Sequence, residues 1–261
     1  MATYLNPGPV FGPVRSRRLG VSLGVNLAPA DGKRCSFDCV YCENGTNDER
    51  PTSSPWPTVT QVAEALGARL RDMSAAGEPP DVITLAGNGE PTANPEFPEV
   101  VDAVLSLRDE LCPKARVAVL SNATMAHVPA VRDALLRVDD NILKLDTVDG
   151  DFIRRVDRPV GGYDVGRVVD ALAAFGGRVM VQSMFLGGEL DGRSVDNTGE
   201  AYVGPWLEAL ARIRPEAVMV YTIARDTPFQ GLRKASPEAL DSIAARVRAG
   251  TASVVEPVVG L

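Results

Sequence analysis

Between residues 20 and 248, short apolar runs alternate with longer segments whose apolar positions recur every three or four residues. The short runs, over residues 20–27, 81–86, 115–120, 141–145, 178–185 and 217–223, predict six β-strands. The longer segments predict helices over residues 58–75, 96–110, 128–138, 164–175, 200–213 and 237–248. In the first of these, Val59, Val62, Ala63, Leu66, Leu70 and Met73 share one face, and Thr58 or Thr60 is placed to cap it. Residues 1–19 carry Pro7, Gly8, Pro9, Gly12 and Pro13 and read as an irregular lead-in. Residues 51–57 read as a turn-rich connector. Residues 187–199, with Gly187, Gly188, Gly192 and Gly199, read as a polar loop, either a mobile lid or an inert surface segment.

Strand followed by helix, repeated about six times, builds a parallel sheet with right-handed crossovers. The expected fold is therefore α/β, a partial (β/α)6 TIM-type barrel of parallel strands forming one domain over residues 1–261. A doubly wound open sheet is the competing arrangement. In a barrel of this kind the ligand site lies at the carboxyl ends of the strands. The polar and glycine residues that break the pattern fall at those ends: a cysteine-rich loop after the first strand, then Gly87, Asn88, Gly89 and Glu90, then Ser121 and Asn122, then Asp146, with Gln182 in the fifth strand.

Composition narrows the picture. Hydrophobic residues make up 45% and charged residues 23%, as in globular domains. No run of 18 apolar residues occurs, so no membrane partner is expected. The formal net charge of -7 argues against a broad phosphate-binding surface. A local one remains open, because Arg15, Arg17, Arg18, Lys33 and Arg34 concentrate positive charge near the cysteines. That patch reads either as a solvated, partly ion-paired face or as a site for an anionic substrate, a cofactor carboxylate or a nucleic acid backbone. Residues 1–7 show no charged start followed by an apolar stretch, so a cytoplasmic location with reduced thiols is expected.

Cys35, Cys39 and Cys42 crowd into eight residues, and Cys112 is the fourth and last cysteine of the chain. Three thiolates on one short loop can grip a single inorganic centre. They are one short of the four that hold an ordinary cubane iron–sulfur cluster, which would leave one iron open for chemistry. A structural zinc site is the alternative, closed by Cys112 or the lone His127, although no second pair of cysteines at knuckle spacing is present. Cys112 otherwise reads as a small buried apolar residue beside Leu111, and His127 as a capping or surface residue. Asp139–Asp140 and the Asp149, Gly150, Asp151 run read as solvated turns rather than a divalent-metal loop. Trp56 and Trp206 read as packing anchors. The glycines of Gly87, Asn88, Gly89, Glu90 and Pro91 let backbone approach a ligand closely, and Glu90 offers a carboxylate to a cation. A plain tight turn with a solvated glutamate is the competing reading.

Taken together, the three cysteines with Tyr41 before the last of them, and the glycine–glutamate step after the second strand, resemble the radical S-adenosylmethionine superfamily. Residues 11–20 and 22–27, Lys144, Leu145 and Asp146, residues 152–159 and the strand around Gln182 resemble its branch of iron–sulfur oxidoreductases grouped with wyosine synthases, over about residues 10 to 245. The resemblance implies a [4Fe–4S] cluster on Cys35, Cys39 and Cys42, whose open iron chelates S-adenosylmethionine. It implies that the reduced cluster cleaves this cofactor to methionine and a 5′-deoxyadenosyl radical, which abstracts hydrogen from an unidentified substrate. Tyr41, Gly87, Asn88, Gly89, Glu90, Ser121, Asn122, Lys144, Asp146 and Gln182 become the expected cofactor-binding residues. The ammonium falls at Gly87–Glu90, ribose and carboxylate contacts at Lys144, Asp146 and Gln182, and the adenine near residues 221–223. The usual Gly-Gly-Glu step is here Gly-Asn-Gly-Glu. With only Cys112 to spare, the second cluster of wyosine synthases cannot form, so the resemblance to them covers the scaffold rather than the reaction. No flavodoxin-like domain is seen, so an external one-electron reductant of flavodoxin or ferredoxin type is expected. A tRNA substrate contacted through the arginines is the alternative, against the acidic net charge.

Overall fold

The computed structural model describes residues 4–16, 20–225, 227–251 and 254–257. Arg17, Arg18 and Leu19 of the basic and branch-specific segments lie outside the described residues. The strands are β1 (Val10–Ser16), β2 (Gly20–Val25), β3 (Val82–Leu85), β4 (Arg116–Ser121), β5 (Asp140–Lys144), β6 (Met180–Met184), β7 (Leu186–Leu190), β8 (Arg193–Ser194), β9 (Ala217–Tyr221), β10 (Leu232–Lys234) and β11 (Val254–Pro257). The helices are α1 (Val59–Ala75), α2 (Phe97–Leu111), α3 (Pro129–Leu135), α4 (Gly150–Val156), α5 (Val165–Ala173), α6 (Glu200–Ile213) and α7 (Pro237–Gly250).

The main sheet runs β1-β2-β3-β4-β5-β6-β9-β11. From β2 to β11 every pairing is parallel. These strands follow one another in chain order without a reversal, which rules out the doubly wound arrangement, whose order turns back at a switch point. The fold is α/β with a mostly parallel central sheet, and all six predicted strands stand in it. Among the described residues no ladder joins β1 to β11.

The core is built by the periodicities already noted. Strand residues Leu23, Val25, Ile83, Leu85, Val117, Val119, Leu143, Val181 and Val218 are fully buried and meet the apolar stripes of the helices. Parallel strands covered by helices read as near-continuous apolar runs, as β3 does with all four residues buried. Thr58 caps α1 in a capping box with Gln61. Trp206 is fully buried, and its indole N–H reaches Leu145 O at 3.0 Å, tying α6 to the carboxyl end of β5.

Three expectations are corrected. The lead-in is not wholly irregular: residues 10–16 form β1, antiparallel to β2, with the register slipping between Phe11 and Val14. Prolines hide this strand from the pattern, and an edge strand tolerates them because one side of its backbone needs no partner. Phe11 lies over Gly24, where a side-chain carbon would meet its ring at 2.2 Å. Residues 187–199 are not one loop. Strands β7 and β8 are joined by β10 in a three-stranded antiparallel sheet, and its apolar side packs on Val40, Phe152, Val156 and Ile223. The Asp149–Asp151 run is a helix start. Asp149 accepts from Phe152 N at 2.6 Å and caps α4, and Asp151 pairs with Arg154.

Candidate cofactor site around the cysteine loop

The chain between β2 and α1 carries the three cysteines and makes no strand of its own; its backbone is held by its neighbours. Arg34 N donates to Asn88 O at 2.9 Å and Glu90 N to Arg34 O at 3.1 Å, a parallel bridge to the turn after β3. On the other side Val40 N donates to Val156 O at 2.9 Å, Asp38 N to Asp157 O at 3.0 Å and Val160 N to Ser36 O at 2.8 Å. The loop is thus clamped between the Gly87–Glu90 turn and the segment that ends α4. Lys33 is buried inside it, donating to Gly45 O at 2.7 Å and to Asp38 Oδ1 at 3.1 Å. Burial alone would lower its pKa, but Cys42, Cys35 and Asp38 outweigh that and raise it, so the ammonium stays charged.

The three thiols are free and partly exposed. Phe37 N points at Cys35 Sγ from 3.4 Å and Asn122 Nδ2 from 3.6 Å. Burial, with Glu90 adding, pushes the Cys35 thiol up to about 12. Burial also raises Cys39, opposed by Lys144. A thiol held protonated in this way releases its proton when a metal takes its place. Cys112 closes the end of α2, packed in the main core. His127 is exposed on the loop before α3, its Nδ1 3.0 Å from Thr124 O. Among the described residues no three His, Cys, Asp or Glu side chains, the three thiols included, are arranged to hold a single metal ion.

Glycine is required in the turn after β3. Gly89 has φ +152°, and a side-chain carbon there would lie 1.9 Å from Arg34 O. At Gly87 the same atom would lie 2.3 Å from Asn26 Oδ1. These glycines admit neighbouring protein, the cysteine loop above all. Asn88, fully buried, is a brace: its Nδ2 donates to Asn6 O at 2.9 Å and Pro29 O at 3.0 Å, its Oδ1 accepts from Asn6 N at 2.7 Å, and its backbone N donates to Asn26 Oδ1 at 3.0 Å. Glu90 is also buried, which raises its pKa against the pull of its donors. Those donors are Asn122 N at 2.6 Å, Thr92 Oγ1 at 2.6 Å and Thr92 N at 3.0 Å. Ser121 caps Ala123 N at 3.1 Å, and Asn122 Nδ2 reaches Ser36 Oγ at 2.9 Å. The carboxyl ends of β3 and β4 are thereby locked to the cysteine loop at Cys35.

A second group meets the loop at Cys39. Lys144, at the end of β5, forms ion pairs with Asp146 and, at 2.9 Å, with Asp157. The Tyr41 hydroxyl donates to Asp146 and, at 3.2 Å, to Asp157, and it also meets Lys144 Nζ. Asp146 Oδ1 accepts from Met184 N at 2.9 Å, anchoring β6. Burial would lower Lys144, but Asp146 and Asp157 outweigh it, and its pKa rises well above the ordinary value. Gln182 stands apart from this group, donating to the Tyr221 hydroxyl at 2.8 Å. The predicted site residues thus form two clusters, one at Cys35 and one at Cys39, with the Gln182–Tyr221 pair as a third element. Of the basic patch, Lys33 is internal and Arg34 stacks on Trp56 with 4.9 Å to the ring centre, while Arg17 and Arg18 lie outside the described residues.

Two residues of the site were missed. Asp157 closes the lysine cluster from α4, and Asn6 braces Asn88 from the lead-in, at sequence separations of 116 and 82. Burial, opposed by Lys144, pushes Asp157 up to about 6. Its folded value lies above the ordinary 3.8, so the folded state holds the proton more tightly between those values. This group's contribution to stability is full below about pH 4 and is lost as pH rises through about 6. Asp157→Asn is expected to remove that fall, so the gap in urea midpoint between variant and wild type changes between pH 4 and 7. A gap constant with pH would refute the assignment.

Residues 31–196 match the sequence profile of the Radical SAM superfamily. The chain belongs to that superfamily, one of enzymes. It also belongs to the UPF0026 family. It is 31% identical over 226 residues to a UPF0026 protein of Synechocystis, covering 85% of this chain and 77% of that one. It is 32% identical over 170 residues to a UPF0026 protein of Helicobacter pylori, covering 65% of this chain and 52% of that one; there the chain spans about half the relative's length. A radical SAM methyltransferase from Sphaerobacter thermophilus superposes with a TM-score of 0.66 at 18% identity, over 91% of this chain and 66% of that one. An archaeal TYW1 superposes with a TM-score of 0.55 at 13% identity, over 88% of this chain and 72% of that one. At such identities these two likenesses speak for the shared fold. Among the described residues no helix is long and apolar enough to cross a membrane.

Proposed function

We propose that the chain is a radical S-adenosylmethionine enzyme in which Cys35, Cys39 and Cys42 hold a [4Fe–4S] cluster and the cofactor binds beside the iron left without a thiolate. The observation that carries this reading is the single loop bearing three thiols, clamped between the Gly87–Glu90 turn and residues 156–160. When bound, the cluster supplies the electron that splits S-adenosylmethionine into methionine and a 5′-deoxyadenosyl radical, which takes a hydrogen atom from substrate.

The chain's own residues bind, orient and seclude. Phe37 N and Asn122 Nδ2 fix Cys35 by pointing N–H groups at its sulfur. The buried Lys33 ammonium offsets thiolate charge at Cys35 and Cys42. One free acceptor also fits an ammonium. Asn6 Oδ1 is a buried acceptor without a partner among the described residues, beside the turn that Asn88 holds, and a buried orphan acceptor is costly unless a ligand satisfies it. Glu90, with donors on both carboxylate oxygens, is a positioning residue for Asn122 and Thr92. Lys144, Asp146 and Tyr41 form the polar wall on the Cys39 side, and Gln182 with Tyr221 the ribose and adenine side. An external one-electron reductant of flavodoxin or ferredoxin type supplies the electron.

The test uses anaerobically reconstituted protein reduced with dithionite. The expected result is an EPR signal of a reduced cluster that shifts on adding S-adenosylmethionine, with 5′-deoxyadenosine released. A colourless protein holding zinc, with no iron or sulfide, would overturn the reading.

A further inference from the structure

A cavity of about 510 Å³ opens beside Ser36, between the loop that follows β4 and the segment leading from Pro159 into α5. Its size suits a small organic ligand. One wall belongs to the cysteine loop itself. Ser36, next to Cys35, meets Thr124 Oγ1 at 2.7 Å and accepts from Asn122 Nδ2 at 2.9 Å, and Asn122 also touches Cys35 Sγ.

The lining is apolar with a few convergent polar groups. Val160 is 63% exposed, the most exposed of three exposed large hydrophobic side chains among the described residues, and it lies on this cavity. Met125, Val168 and Ala171 extend the apolar wall. Arg167 is exposed and has no ion-pair partner among the described residues. Asp164 lies nearby, but its Oδ1 is engaged with Gly166 N at 2.9 Å and Arg167 N at 3.3 Å as the cap of α5. His127 meets the carbonyl of Thr124 through Nδ1. A carbonyl only accepts, so Nδ1 carries a proton and Nε2 is left for a ligand. One unpaired guanidinium offers a forked donor pair to a carboxylate. The single Asp164 charge disfavours a more highly charged anion.

We infer that this cavity is the substrate pocket of the enzyme proposed above and takes a small carboxylate with an apolar body. Arg167 reads the carboxylate, and Val160 with the neighbouring side chains holds the body. The inference rests on the radical enzyme reading only for the word substrate; binding itself needs the polypeptide alone.

His127 is the one histidine of the chain, so its imidazole resonances in tag-free, reconstituted and oxidised protein report on the cavity directly. Octanoate is the probe, with octan-1-ol and octyl phosphate for comparison. Octanoate is expected to shift the His127 signals saturably in the millimolar range. Arg167→Ala is expected to weaken this at least tenfold, Arg167→Lys less, and Arg212→Ala, on α6, not at all. No saturable shift, or an unchanged one in Arg167→Ala, would overturn the site. Equal binding of the alcohol would overturn the anion reading, and tighter binding of the phosphate would overturn the carboxylate preference. An Arg167-dependent shift in a chain that takes up no iron would keep the pocket and remove the reading it rests on.

Discussion

Cys39→Ala is expected to abolish both the reduced-cluster EPR signal and deoxyadenosine formation while leaving the fold intact. Two thiols remain on the loop, and two do not hold a cubane that already lacks its fourth. Cys39 is partly exposed and, among the described residues, has no hydrogen bond from its sulfur to another element, so its removal costs the fold only about 1 kcal/mol. Cys112→Ala is the matched control. That thiol is 5% exposed in the core at the end of α2, so its loss trims packing by a similar ~1 kcal/mol and leaves the iron content unchanged. Iron and acid-labile sulfide per chain, read beside circular dichroism, separate the two. Full iron in Cys39→Ala would show that the thiols of the loop are not the ligands.

What was legible beforehand follows from the range of the interactions. The six parallel strands and the cysteine loop are local in sequence, because period, spacing and strand ends all sit within a few residues. Strand β1 was hidden by Pro9, Gly12 and Pro13, although Phe11 carries the signal by covering Gly24 across the sheet. The three-stranded sheet of β7, β8 and β10 was hidden by glycine. Gly188 packs against the backbone of Gly231, where a side-chain carbon would meet the carbonyl at 2.1 Å, so residues that look like loop signals are there to bring strands together. A carboxylate after a strand end suits a cation, and that local signal is what points to Glu90. Its donors, Asn122 N and the Thr92 N–H and hydroxyl, become visible only once β3 and β4 lie side by side. Asp157 and Asn6 belong to the site through contacts between elements far apart in the chain, and no local pattern marks them.

Gly89→Ala is expected to be among the most damaging single substitutions in the chain. The residue sits at φ +152°, a conformation that L side chains rarely adopt, and the added carbon would lie 1.9 Å from the carbonyl oxygen of Arg34. That oxygen is backbone and cannot rotate away. Relief requires the cysteine loop to move off the turn, which breaks the Arg34 N to Asn88 O and Glu90 N to Arg34 O hydrogen bonds. Backbone strain of about 1–3 kcal/mol and overpacking of a further ~1–3 kcal/mol together amount to roughly 4 kcal/mol, a drop in Tm of about 10 °C for a domain of this size. Gly8→Ala is the control, since nothing lies within 4 Å of its added carbon. The displaced loop carries Cys35 next to Arg34, so Gly89→Ala is also expected to lose iron during reconstitution even where it remains folded. Melting curves and iron content measured on the two variants decide it. A Gly89→Ala protein that melts within a degree of wild type and retains its iron would show that the close approach of turn and loop is not what positions the thiols.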